Sequence, residues 1–119
     1  MGTFSVKATI SPPHDPSRSQ EVSLLVDTGA AYTAIPQPVL EVLGVRPTAK
    51  RAVTLADGRE ETWDLTYVLI SLVGEQAPTP CLMAPHDGMT LLGAVTLEQF
   101  GLGVDPLAKR LIPVRVPLA

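Results

Sequence analysis

Leu24-Leu25-Val26-Asp27-Thr28-Gly29-Ala30 is an apolar run that delivers a carboxylate into a tight turn. Asp and Gly are the residues that turns prefer, so a bare Asp-Thr-Gly says only that the chain reverses. Its flanks say more. A solvated turn needs neither three apolar residues before it nor Ala30-Ala31 after it. This setting predicts a buried carboxylate, and a carboxylate leaves water only for a hydrogen-bonding or ionic reason.

On either side of this stretch the chain is broken into short pieces by 12 prolines and 9 glycines, the punctuation of a mostly β protein. Phe4, Val6, Ala8 and Ile10 alternate with polar residues and predict a half-buried strand. Residues 11–19 read as a loop, and residues 21–26 as a strand ending at Asp27. Residues 31–35 are β-prone up to Pro36. Residues 38–43 predict a short helix with proline at its start and Gly44 at its end. Residues 52–55 and 60–65 predict a hairpin around Ala56-Asp57-Gly58-Arg59. Residues 66–73 form a strongly β-prone run, whereas 76–87, with three prolines, read as loop or edge. Residues 89–92 predict a buried strand entering Gly93, and 96–100 one or two helical turns closed by Gly101. Residues 109–118 alternate but hold Pro113 and Pro117, as expected of an edge strand or one paired elsewhere. Apolar strand, glycine turn and short helix occur in that order twice, at 23–43 and at 89–101.

A length of 119 residues predicts one domain, 1–119, with room for a modest core. A hydrophobic content of 45% against 18% charged excludes a disordered chain. The surface that remains is poor in charge, as a partner-covered surface would be. Nine basic against 12 acidic residues give a net charge of −3, which argues against a nucleic-acid footprint. The single cysteine, Cys81, cannot form an intrachain disulfide, and no Cys/His spacing suits a metal. Neither a signal peptide nor a bilayer-length apolar run is visible; the longest apolar stretches are 65–74 and 89–97. A cytoplasmic protein without membrane association is the expectation.

Val26-Asp27-Thr28-Gly29-Ala30 resembles the active-site loop of the retropepsin-like aspartic proteases. Leu91-Leu92-Gly93-Ala94 with the helix after it resembles the segment that crosses behind that loop, and Ala56-Asp57-Gly58-Arg59 stands where the family has its flap. The order and spacing match over residues 4–115. The likeness is greatest to the small prokaryotic single-domain branch, where an Ala-Asp-Gly flap and a Val-Asp-Pro after the second helix are common. The resemblance implies a closed β barrel with one or two short helices, equivalent to one half of a pepsin-type two-lobed enzyme. It also implies an endopeptidase acting on polypeptides with no metal or organic cofactor. Asp27 is then the catalytic carboxylate. Thr28, Gly29 and Ala30 shape the loop, Thr28 bonding across a dimer and Gly29 letting backbone approach substrate. Ala56, Asp57 and Gly58 cover substrate, while Leu92 and Gly93 support the site. Only one Asp-Thr-Gly is present, so the second carboxylate of a proton-sharing dyad has to come from another copy, in a symmetric homodimer. The termini, 4–10 and 111–118, suit strands pairing across such an interface. Viral members carry an acidic residue two positions after the loop glycine and an Arg after the later glycine. Here Ala31 and Ala94 stand instead, so the dimer lacks that ion pair. The alternative is a non-catalytic peptide-binding or dimerisation module on the same fold.

Other residues carry weaker signals. His14 and His86-Asp87 fall in proline-flanked loops, with no serine elbow for a His-Asp pair to serve. Cys81 has no basic neighbour and reads as an inert thiol. Trp63 and Tyr67 suit packing at the flap base, with lining of a substrate pocket as the alternative. Leu82 and Met83 read as loop residues packing inward, and Arg46, Lys50 and Arg51 as a solvated face.

Overall fold

The computed structural model describes residues 3–85 and 90–119. Among these residues nine strands and two short helices follow one another in the order β1 (Ser5–Ser11), β2 (Gln20–Val26), β3 (Thr33–Pro36), α1 (Gln37–Val42), β4 (Ala49–Thr54), β5 (Glu60–Leu72), β6 (Glu75–Ala84), β7 (Leu91–Leu92), α2 (Ala94–Gln99), β8 (Leu102–Asp105) and β9 (Arg110–Pro113). Seven strands form a sheet in the order β1-β2-β7-β3-β6-β5-β4, and an added β1–β5 pairing closes six of them into a barrel. Closure removes exposed edges, which an open sheet of this size would have to protect. β4 hangs from the outer part of β5 and forms a hairpin arm with it. β8 and β9 make a separate two-stranded sheet.

Alternation sets the core. β1 and β2 pair antiparallel from Ser5↔Leu25 to Ile10↔Gln20, so Ala8, Ile10, Val22, Leu24 and Val26 point inward together. Ile35, Leu40, Val68, Ile70 and Leu92 complete the interior and are fully buried. Each such side chain contributes roughly 1.5–3 kcal/mol of burial. A second cluster of Ala34, Trp63, Leu65, Leu82 and Ala84 lies under the arm, with Tyr32, Val53, Leu55 and Leu91 against it.

Two sequence expectations are corrected. Residues 60–65 and 66–73 are one 13-residue strand, β5, which pairs with β4 at Glu60–Leu65, with β6 at Asp64–Leu72 and with β1 at Leu69–Ser71. Within 76–87, residues 76–84 belong not to a loop but to β6, a strand inside the barrel. Its prolines are tolerated because β3 pairs with β6 only from Cys81 onward. The Pro78 carbonyl accepts from Gln99 Nε2 on α2 at 2.9 Å, so Pro78 turns its main-chain polar side away from β5, where no ladder donor is needed. Leu82 and Met83 are accordingly buried strand residues. β1 pairs with β2 along Ser5–Ile10 and with β5 only at Thr9–Ser11. At the other terminus β9 ends at Pro113, and Val114, Val116 and Leu118 beyond it are exposed.

The remaining elements follow the sequence closely. α1 starts with proline in its first turn and is followed by Gly44 at φ 76°. α2 begins two residues earlier than predicted, and Gly101 closes it at φ 62°. Asp105 of the Val-Asp-Pro accepts from the amides of Leu107 and Ala108, both at 3.1 Å, and turns β8 into β9. His86, Asp87 and Met89 lie outside the described residues.

Candidate active site

The apolar run of β2 ends where its neighbour β7 begins to act as a clamp. β7 is only two residues long, yet it pairs parallel with β2 through Leu25↔Leu91 and Val26↔Leu92 and antiparallel with β3 through Ala34↔Leu91. It thus passes between the two ends of the loop that joins β2 to β3. Around this crossing, Leu25 N–H donates to Thr90 O at 2.9 Å and Asp27 N–H to Leu92 O at 3.0 Å. Ala94 N–H donates to Ala30 O at 2.8 Å and Val95 N–H to Ala31 O at 2.9 Å. Ala31 and Ala94 thus each take part in a backbone bond between the two segments, but to Val95 and Ala30 and not to each other.

Gly93 makes the crossing sterically possible. Its φ of −95° suits any residue, but a Cβ there would overlap the Tyr32 carbonyl group and the Thr33 amide nitrogen. The requirement is closeness of two backbones.

Behind the crossing lies a chain of buried hydroxyls. Gln99 Nε2 donates to Pro78 O, so its Oε1 faces Thr79 Oγ1 at 2.6 Å and can only accept. Thr79 therefore accepts from Thr96 at 2.8 Å, and Thr96 from Thr33 at 2.7 Å. Thr33 Oγ1 is left to accept from Gly93 N–H at 3.1 Å. One proton per hydroxyl fixes a single direction, from Gly93 through Thr33, Thr96 and Thr79 to Gln99. This relay joins β3, β6, α2 and the glycine behind the loop. Sequence reasoning missed it; threonines at inward positions of two apolar strands and of the second helix are the only signal it leaves.

Asp27 is half-buried, less than its apolar flanks predicted. Its Oδ1 accepts from Gly29 N–H at 3.0 Å, and Ala30 N–H donates to Asp27 O at 3.2 Å. A Cβ at position 29 would stand 3.3 Å from Oδ1, so glycine leaves the carboxylate its room. Among the described residues, Oδ2 accepts no hydrogen bond from the chain. Thr28 is exposed, and its hydroxyl has no partner within the described chain.

Asp27 and residues 29–32 form one side of a groove of about 670 Å³. Residues 51–56 of the arm form the other side, and Trp63, Leu82 and Leu91 form its back. The groove is thus mostly apolar with a carboxylate at one wall, the composition of a ligand-binding cleft. Of the sequence-predicted residues, Asp27, Gly29, Ala30 and Ala56 line it, and Leu92 and Gly93 support it from behind. Asp57 and Gly58 do not line it; they sit at the exposed tip of the arm. There Gly58 has φ 88°, and Asp57 accepts from Arg59 N–H at 3.0 Å and Arg59 Nε at 2.7 Å. The Arg59 backbone and guanidinium hold the Asp57 carboxyl below its usual range. Trp63 is both core and groove wall, while Tyr67 is exposed on another face.

Cys81 is fully buried, and desolvation pushes its thiol up to about 12, so it is not a nucleophile. Among the described residues no group of three or more His, Cys, Asp or Glu could hold a metal ion. No helix of the described residues is long and apolar enough to cross a membrane.

Comparison with known proteins accords with this geometry. The profile of the family described as "gag-polyprotein putative aspartyl protease" matches residues 18–99. A search of curated proteins gives no match. Among solved structures, the equine infectious anaemia virus (EIAV) protease complexed with the inhibitor HBY-793 superposes with a TM-score of 0.64 at 21% identity, over 84% of this chain and 89% of that one. The solution structure of the simian foamy virus (mac) protease gives 0.57 at 22% identity, over 81% and 93%. At such identities the likeness is one of fold. Since the family profile spans the Asp-Thr-Gly loop, the arm and the crossing strand together, this chain belongs to the gag-polyprotein aspartyl protease family and has the retropepsin-like fold.

Proposed function

We propose that the protein is an aspartic endopeptidase whose active unit is a homodimer, with residues 1–119 forming one domain of it. The observation that carries this reading is the half-buried Asp27 at the wall of an apolar groove, one oxygen held by Gly29 N–H and the other unengaged within the described chain. A lone carboxylate cannot both activate water and donate a proton to the scissile carbonyl. Two carboxylates sharing one proton can, the ionised one as general base and the protonated one as acid. A second copy supplies the second Asp27 across a two-fold axis. The exposed Thr28 hydroxyl and the exposed Val114, Val116 and Leu118 are the groups such an interface would cover. The dyad titrates as a coupled pair, so hydrolysis should follow a bell-shaped pH profile. The proposal keeps the protein in the cytoplasm, whose reducing conditions suit a lone buried thiol.

The test is hydrolysis of an unfolded protein substrate from acidic to neutral pH, alongside solution mass. Asp27→Asn should lower turnover by roughly 10²–10⁴ with the dimer and fold retained. A strictly monomeric wild type that cleaves nothing overturns the proposal. Ala31 and Ala94, where viral members have an ion pair, favour the second reading, a peptide-binding module without turnover. That reading is upheld if the wild type binds peptides yet cuts none.

A further inference from the structure

Lys50 and Arg51 are adjacent cations on β4, and the pleat sends them to opposite faces. Lys50 stands opposite Asp64 on β5, and its Nζ meets Asp64 Oδ1 at 2.7 Å, so its charge is matched within the protein. Arg51 stands opposite Trp63. It shares its face with Ala49, Val53 and Leu55, the residues that pack on the second core cluster, and lines the groove together with Val53 and Leu55. Its Nη1 donates to the Lys50 carbonyl at 2.9 Å, and among the described residues it forms no ion pair. Of the arm's other carboxylates, Asp57 and Glu61 are engaged with Arg59, and Glu61 also accepts from Trp63 Nε1 at 2.8 Å. The groove therefore presents an unmatched guanidinium beside an apolar wall.

We propose that Arg51 makes the groove selective for extended peptides in which an acidic side chain lies two positions from the apolar residue. The inference rests on reading the groove as the peptide site. Arg51 and Val53 are two residues apart on one strand face, about 7 Å. That is also the spacing of same-side residues on an extended peptide lying along β4. A peptide carboxylate at that spacing meets the guanidinium beside Trp63 and accepts two parallel hydrogen bonds from it, while the apolar side chain rests against Val53 and Leu55. The sequence places Arg51 on a solvated face; its register opposite Trp63 is what brings it to the groove.

Three synthetic peptides test this, carrying glutamate, glutamine or lysine two positions from a central leucine, on either side. Binding is read by fluorescence of Trp63, the sole tryptophan, on full-length Asp27→Asn protein, so that no turnover is needed. Cleavage by the wild type is read separately. The glutamate peptide should bind roughly threefold to tenfold more tightly than the glutamine peptide, and the lysine peptide most weakly. The difference should shrink with salt. Arg51→Ala should erase the preference and Arg51→Glu reverse it, with unchanged circular dichroism, since the side chain is exposed. Equal binding of all three peptides, a preference that survives Arg51→Ala, or no fluorescence change with any peptide overturns the proposal. A charge preference in binding without any hydrolysis sinks only the protease reading.

Discussion

Two of the chain's aspartate turns, Asp27-Thr28-Gly29 and Asp57-Gly58-Arg59, have nearly the same local geometry. In both, aspartate Oδ1 accepts the amide two residues on, at 3.0 Å. Their surroundings then divide them. Asp57 stands in solvent at the tip of the arm, and its second oxygen is taken by Arg59 Nε at 2.7 Å. Asp27 is half-buried against a groove, with four backbone bonds tying its loop and strand to the segment around β7 and its second oxygen unengaged within the described chain. The turn alone does not make a carboxylate available for chemistry. A segment more than sixty residues away along the chain, packed behind the turn, is what makes the difference.

Matched substitutions in the two turns probe this difference. The largest effect is on activity: Asp27→Asn should lower hydrolysis by roughly 10²–10⁴, whereas Asp57→Asn should leave the rate within a factor of a few, measured on one peptide under identical conditions. Comparable losses for both would mean the turns are functionally alike. The next contrast concerns glycines. Gly93→Ala should destabilise by about 3 kcal/mol or more, because its Cβ collides with the Tyr32 and Thr33 backbone. Gly58→Ala, with open space around it and only φ 88° to strain it, should cost about 1 kcal/mol in urea unfolding. Thr96→Val removes the middle of the hydroxyl relay and leaves Thr33 a buried donor without an acceptor. A loss of about 1–3 kcal/mol is expected, with activity falling more than that loss alone accounts for if the relay positions the loop.

The smallest effect is the pH response of the arm. The Asp57 carboxyl is held below 3.8 in the folded protein. The stabilisation it brings is therefore complete above that value and fades as pH falls below it. Amide chemical shifts of Gly58 and Arg59 should stay constant from pH 5 to 7 and move only below about pH 4. A transition near neutral pH would show that something other than the Asp57 carboxyl governs the tip.

Much of the fold is legible in local pattern. Alternation along 4–10 and 21–26, proline and Gly44 around α1, and Asp57-Gly58 at the hairpin each determine a local element directly, because each acts through neighbours a few residues away. β6 was misread for the opposite reason: whether Pro78 and Pro80 break a strand depends on whether a partner occupies that edge, and β3 reaches only to Cys81. The division of 60–73 into two strands failed likewise. Its halves form a single strand because β4, β6 and β1 each pair with a different part of it.

Of the residues that the family resemblance singles out, Asp27, Gly29, Ala30 and Ala56 lie along the groove, and Leu92 and Gly93 lie behind its loop. Arg51 and the Thr33-Thr96-Thr79 relay were not legible in the sequence, since a side chain's partner across a sheet depends on register. The sequence by itself determined a small β protein with one aspartate at the end of an apolar strand, and hence the kind of chemistry open to it. Tertiary structure alone decided that Asp27 lies at the wall of a groove with β7 crossing behind it, that Arg51 faces the groove while Lys50 is neutralised by Asp64, and that Gly93 admits no side chain. Those outcomes depend on distances between residues far apart in the chain, which exist only once the barrel has closed.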